Sequence, residues 1–178
     1  MVTANLNFRP YYFKWVIVKN KRYDVLRTYE GFENFQDIDQ VDQDAETVIA
    51  GIKGLGAGKM DIVECTNYTF DDFKQLFRGL RNTVEENWNN KGNRKTFIFF
   101  YYAGHGVTDK FLRAVCNGAF NKEGERLNKP SQLTYDIESA CRGLGETEGG
   151  YCVGVYDCCR EMLNLLTRGG IAQSEVPE

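Results

Sequence analysis

A chain of 178 residues can enclose one substantial hydrophobic core and is too short for two ordinary domains, so residues 1–178 are read as a single domain. A composition of 42% hydrophobic and 26% charged residues with 3 prolines is that of a soluble globular protein and excludes long disordered stretches. The formal net charge is -3 and no lysine- or arginine-rich run builds a basic face, so neither a nucleic-acid nor a membrane partner is expected.

The first ten residues, MVTANLNFRP, lack the charged-then-apolar order of a secretory signal, and no apolar run approaches the roughly 20 residues of a membrane helix. Residues 14–19 (KWVIVK) form a short β-branched run of strand length. A helical stripe follows at Ala45, Val48, Ile49 and Ile52, and residues 61–65 (DIVEC) supply a second strand. The next stripe, Phe70, Phe73, Phe77, Leu80, Val84 and Trp88, predicts a long helix whose entry is a capping box of Thr69 and Asp72. Residues 96–102 (TFIFFYY) are almost unbroken apolar, as suits a strand covered on both faces.

Residues 104–130 interrupt the alternation, with residues 110–115 (KFLRAV) as a possible small β-hairpin on the rim of the sheet. A third helix is expected from the stripe Leu133, Ile137, Cys141 and Leu144, entered at Ser131 after Pro130 and ended by Gly143 and Gly145. Residues 151–156 (YCVGVY) make the fourth strand. Strand alternating with helix in this way predicts an α/β domain, a parallel sheet joined by right-handed crossovers with helices on both faces, hence three layers. The glycine-rich stretch 51–60 (GIKGLGAGKM) precedes a strand and fails the phosphate-loop pattern at Lys53 and Met60, so it reads as a helix-to-strand turn.

In open α/β sheets the working residues lie beyond the carboxyl ends of the strands, where loops from neighbouring elements converge. Two such loops stand out: Ala103-Gly104-His105-Gly106 and Asp157-Cys158-Cys159-Arg160-Glu161. His105 is the single histidine of the chain. Adjacent parallel strands lie about 4.8 Å apart, so a thiol ending one strand can approach an imidazole ending the next. An isolated histidine or cysteine at such a place is ordinarily a rim or packing residue. A pair at matching strand ends points instead to an imidazole that activates a thiolate nucleophile and later protonates a leaving amine.

These two segments, with Tyr101 and Tyr102 before the first, resemble the catalytic motifs of the caspase and metacaspase cysteine peptidases. Cys159 follows His105 by 54 residues, close to the roughly 50 of that family. The resemblance runs from about residue 14 to residue 161, nearly the full large catalytic subunit. It implies a caspase-like fold with strand order 2-1-3-4 and a dyad of His105 and Cys159, the second cysteine of the pair being the nucleophile. It also implies an oxyanion hole from the backbone N–H groups of Gly106 and Cys159. Asp157 falls where metacaspases carry aspartate, and Asp44 on an acidic position of their specificity pocket. Two carboxylates facing one pocket would select Arg or Lys before the scissile bond. For each aspartate the alternative is a helix cap or turn residue.

The substrate class so implied is a peptide or protein, with no cofactor and no metal. The carboxylates Asp37, Asp39, Asp42, Asp44 and Glu46 lack the order of a calcium loop, and the acidic string that metacaspases carry after the histidine is reduced to Asp109. The six cysteines are too sparse for a disulfide scaffold and form no CxxC pairs, so free thiols in a reducing, intracellular and cytoplasmic setting are expected. The family continues past its nucleophile into a small subunit, whereas residues 162–178 here suffice for one short helix and a tail. Glu161 replaces a residue that is often small in the family. A small-subunit-like partner chain or a second copy is therefore expected, and a non-catalytic caspase-like interaction subunit is the alternative to an endopeptidase.

Overall fold

The computed structural model describes residues 11–23, 26, 35–56, 62–108, 110–118, 127, 130–158 and 160–162, of which residues 130, 131 and 160–162 are described by backbone alone. The order of elements is β1 (Tyr11–Lys19), α1 (Val41–Gly54), β2 (Ile62–Thr66), α2 (Phe70–Asn90), β3 (Lys95–Ala103), β4 (Gly106–Thr108), β5 (Leu112–Val115), α3 (Pro130–Leu133), β6 (Thr134–Asp136), α4 (Ile137–Glu146), β7 (Gly150–Asp157) and β8 (Arg160–Met162). The four apolar runs read as strands form one parallel sheet in the order β2-β1-β3-β7, the order expected. The fold is α/β with a mainly parallel sheet.

The centre of the sheet follows from β1, whose aromatic and β-branched residues pair with β2 on one side and β3 on the other. Val16, Ile17 and Val18 are all buried, which requires cover on both faces, because successive side chains of a strand point oppositely. Val16 and Val18 pack with Phe73, Phe77, Leu80 and Val84 of α2 and Ile137, Cys141 and Leu144 of α4. Ile17 instead packs with Val41, Ala45, Ile49 and Ile52 of α1. Toward the amino end of the strands the described residues cover that second face less: Tyr11, Phe13 and Trp15 are only half-buried.

Helix α2 begins as the sequence indicates. The Thr69 side chain accepts from the Asp72 N–H at 3.2 Å, and the Asp72 carboxylate accepts from the Thr69 N–H at 3.0 Å. Its buried stripe ends differently, on Asn87 in place of Trp88, because the Asn87 amide donates to the Thr96 hydroxyl at 3.0 Å. A buried amide with a partner is tolerated where an unpaired one is not.

The third predicted helix is corrected in both directions. Leu133 and Ser131 lie on the short α3, the strand β6 intervenes, and α4 starts only at Ile137, capped by the Asp136 carboxylate on the Ser139 N–H. Gly143 and Gly145 lie inside α4, which continues to Glu146. The interruption in the alternation is also larger than a hairpin over residues 110–115. It is a second sheet, β6-β5-β4-β8, in which β4 and β5 form the hairpin and β8 pairs with β4 in parallel. Strands of three and four residues carry too little periodicity to be read from a sequence. Residue 162 is a strand residue, whereas residues 163–178, for which a helix and tail are expected, lie outside the described residues.

The two sheets and α2 meet at Asn20, the residue after β1. Its side chain is buried, donates to the carbonyls of Tyr68 at 3.1 Å and Val115 at 3.0 Å, and accepts from the Tyr68 N–H at 2.7 Å. Its backbone N–H donates to the Ala103 carbonyl at 2.9 Å, and its carbonyl accepts from the Tyr23 hydroxyl at 2.6 Å. Replacing Asn20 by Ala strands several of these groups away from water, at about 1–3 kcal/mol for each. Asn20→Ala is therefore expected to lower unfolding stability by at least about 3 kcal/mol in urea titrations, while Asn82→Ala on the exposed side of α2 stays within about 0.5 kcal/mol.

Candidate active site

Strand β3 delivers Gly104 and His105 to the rim where the two sheets join. Gly104 has φ 153°, and a Cβ there would sit 2.6 Å from the Tyr23 hydroxyl, 2.7 Å from the Asn20 carbonyl and 2.7 Å from the Tyr102 hydroxyl. Only glycine fits this enclosure. The same hydroxyls hold the next residue, since the His105 N–H donates to Tyr23 Oη at 3.0 Å and Tyr102 Oη donates to the His105 carbonyl at 2.7 Å. Burial pushes both phenols well above their ordinary pKa, so they stay protonated and serve as fixed donors.

The imidazole is held edge-on by Tyr23, with ring centroids 4.6 Å apart, and at a tilt by Phe35, at 4.8 Å. Its Nε2 lies 2.7 Å from the Gln36 carbonyl oxygen. A carbonyl can only accept, so Nε2 carries the proton of the neutral ring and Nδ1 is the basic nitrogen. This tautomer is what a general base needs. Gly106, buried, opens β4 and pairs with Ala114 on one side and Arg160 on the other.

Cys159 lies outside the described residues, as does Asp109. The residues on either side of Cys159 are described. Asp157 ends β7 opposite Ala103, and its carbonyl accepts from the Gly104 N–H at 3.3 Å; Arg160 pairs with Gly106. The half-buried Cys158 packs against the cluster that contains Tyr102, on the α2 and α4 side of the sheet. Other thiols are poorly suited to attack: burial raises the pKa of Cys65 and Cys116, and a hydrogen bond to Cys152 with burial raises that of Cys141. Cys152, its pKa lowered by its bond to Cys141, lies on β7 and packs against the core, away from the rim.

Asp157 binds the Tyr101 hydroxyl directly, whereas Asp44 acts on it only through its charge. Tyr101 Oη donates to Asp157 Oδ2 at 2.9 Å, and its pKa is raised by burial first, then by the Asp157 bond and charge and by the charge of Asp44. Asp44 stands in the first turn of α1, half-buried, with the Gln40 amide 3.4 Å from Oδ1. The neighbouring carboxylates are taken: Asp42 by Lys19 at 3.4 Å and by Lys21, and Asp37 by Arg22 at 3.0 Å and the Tyr23 N–H at 2.7 Å. Among the described residues no group of three or more His, Cys, Asp or Glu could hold a metal ion, and no helix is long and apolar enough to cross a membrane.

Sequence reasoning assigned no role to Tyr23, Tyr101 or the Gln36 carbonyl. Tyr101 and Tyr102 stand inside the motif, and alternate strand residues face opposite sides, which is the signal that separates Tyr101 toward Asp157 from Tyr102 toward His105. A backbone carbonyl such as that of Gln36 leaves no signal in a sequence. No protein-family model and no curated protein matches the chain.

Gly104→Ala is expected to cost at least about 2 kcal/mol by overpacking, whereas Gly79→Ala, in the interior of α2 with nothing within 4 Å of its Cβ, is expected to stabilise by about 0.5–1 kcal/mol. Thermal melts of the two variants test this contrast. Asp42, its pKa held below the usual carboxylate value chiefly by the Lys21 bond, gives stability that is present above about pH 4 and lost as pH falls through its folded pKa. Asp42→Asn is expected to flatten that part of the acid-unfolding curve.

Proposed function

We propose that this chain is a caspase- or metacaspase-like cysteine endopeptidase using a Cys159/His105 dyad and preferring Arg or Lys before the scissile bond. The observation that carries the reading is the His105 ring, pinned by the Gln36 carbonyl so that Nδ1 is the basic nitrogen, on the rim that Asp157 and Arg160 also reach. The clusters on the two faces of the sheet, one with α1 and the other with α2 and α4, support the three-layer arrangement of that family.

In this mechanism the Cys159 thiol gives its proton to His105 Nδ1, and the thiolate adds to the carbonyl carbon of the substrate. The oxyanion accepts from the N–H groups of Gly106 and Cys159. Collapse breaks the C–N bond, with His105 returning the proton to the leaving amine. Water then adds to the acyl thioester with His105 as base, which releases the acid and regenerates the thiol. In this reading Asp157, bound to the Tyr101 hydroxyl, and Asp44, whose charge is felt there, form the acidic side of the pocket for a cationic side chain. The thiols suit a reducing, cytoplasmic setting.

A second reading, a caspase-like subunit that works by docking a small-subunit-like partner or a second copy, draws on the edge strand. Among the described residues strand β7 ends the parallel sheet, and it exposes Tyr151 by 42%, Val153 by 59% and Val155 by 40%. Apolar β-prone edges recruit other chains. Val153→Lys is expected to abolish any self-association seen by sedimentation, and a wild-type chain that stays monomeric with and without candidate partners overturns this reading.

For the endopeptidase, a peptidyl electrophile with Arg beside its reactive group is expected to label the wild-type chain and Cys158→Ala but not Cys159→Ala, as read by intact mass. His105→Ala is expected to slow labelling by about 100-fold or more. Asp157→Asn is expected to weaken the preference for Arg over a neutral side chain by about tenfold. Labelling on Cys158 instead, or equal rates with an Asp-bearing electrophile, defeats the assignment.

A further inference from the structure

Away from this rim, a groove of about 300 Å³ runs between α2 and α4. Its α2 wall carries Lys74, Arg78 and Arg81, all exposed, and its floor is formed by Phe77, Tyr135 and Leu144. The Arg81 guanidinium reaches over α4, where a Cβ on Gly143 would lie 3.3 Å from its Nη2. Among the described residues none of these three cations has an ion-pair partner, in contrast to Lys19, Lys21 and Arg22, each of which meets an aspartate. A row of unneutralised cations above an apolar aromatic floor, on a chain of net charge -3, is a local reversal of the charge of the molecule.

The spacing describes the occupant. Positions 74, 78 and 81 follow one another at helical intervals, so the row extends about 10 Å along the α2 axis, with about 6 Å between the first two. An extended peptide advances about 3.4 Å per residue, which puts carboxylates on alternate residues about 7 Å apart and directs the residue between them the other way. Guanidinium groups favour carboxylates through paired hydrogen bonds, and the floor suits an aliphatic or aromatic side chain.

We propose that this groove binds an extended acidic peptide segment of a partner protein, with alternate carboxylates on the Lys74, Arg78 and Arg81 wall and an apolar side chain on the Phe77, Tyr135 and Leu144 floor. The site shares no residue with the strand-end rim, and its test does not depend on peptidase activity.

The probe is a fluorescein-labelled peptide, Gly-Glu-Leu-Glu-Phe-Glu-Gly, titrated with the full chain by fluorescence anisotropy. Saturable binding is expected that weakens as salt is raised from about 50 to 300 mM. Arg78→Gln/Arg81→Gln is expected to weaken it by at least about tenfold. A peptide with Gln for Glu is expected to lose binding, and one with Ala for Leu and Phe to bind about fivefold more weakly. Circular dichroism and the melting temperature verify that the variant is folded. The proposal is overturned by unchanged affinity in the folded variant, by no saturable binding below about 1 mM, corresponding to about -4 kcal/mol, by inorganic phosphate competing as strongly as unlabelled peptide, or by a single-stranded oligonucleotide binding more tightly than the peptide.

Discussion

The buried amide of Asn20 joins segments that no hydrophobic contact would hold in register. Strand β1 ends there, and one side chain with both backbone groups reaches β3, the β2–α2 loop, β5 and Tyr23. Apolar packing is tolerant of small shifts, whereas hydrogen bonds made away from water are directional and costly to leave open. Asn20 therefore sets the position of the second sheet against the first, and the seam between them is the rim that carries His105.

The order continues outward from that amide through hydroxyl groups. The Tyr23 hydroxyl donates to the Asn20 carbonyl and accepts from the His105 N–H, and the Tyr102 hydroxyl donates to the His105 carbonyl. Both phenols are buried and hold their protons, so the chain of donors does not change over the ordinary pH range. Gly104 lets these oxygens close around the backbone, and the Gln36 carbonyl sets the imidazole tautomer. The imidazole is held within this frame by the Tyr23 and Phe35 rings and the Gln36 carbonyl.

Cover over the parallel sheet is uneven, and this separates its surfaces by role. The face toward α2 and α4 is filled by aromatic rings: Tyr135 stacks on Phe73 at 5.3 Å and on Phe77 at 5.6 Å. Above that filled face the α2 wall turns its cations outward. Among the described residues the face toward α1 is filled at the carboxyl ends of the strands. At the amino ends Phe13, Phe97 and Tyr151 stack on one another at 5.3 and 4.6 Å and continue into the exposed valines of β7.

Much of this was legible from residue order alone. Apolar runs of strand length, helical stripes and the Thr69–Asp72 cap are local signals, and local spacing determined the strands of the parallel sheet, α1, α2 and the strand-end positions of His105 and Asp157. Three things were decided only in three dimensions. The second sheet arises because strands as short as β4, β6 and β8 are stabilised by their partners and by the cluster of Tyr23, Leu26, Phe35, Val107 and Leu133 beneath them, not by their own periodicity. The end of the buried stripe of α2 on Asn87 depends on a hydroxyl presented by β3, and the start of α4 at Ile137 depends on the space that β6 takes. The tautomer of His105 depends on a backbone carbonyl 69 residues earlier in the chain. A carbonyl is the same at every position of a sequence, and only folding decides which side chain it faces.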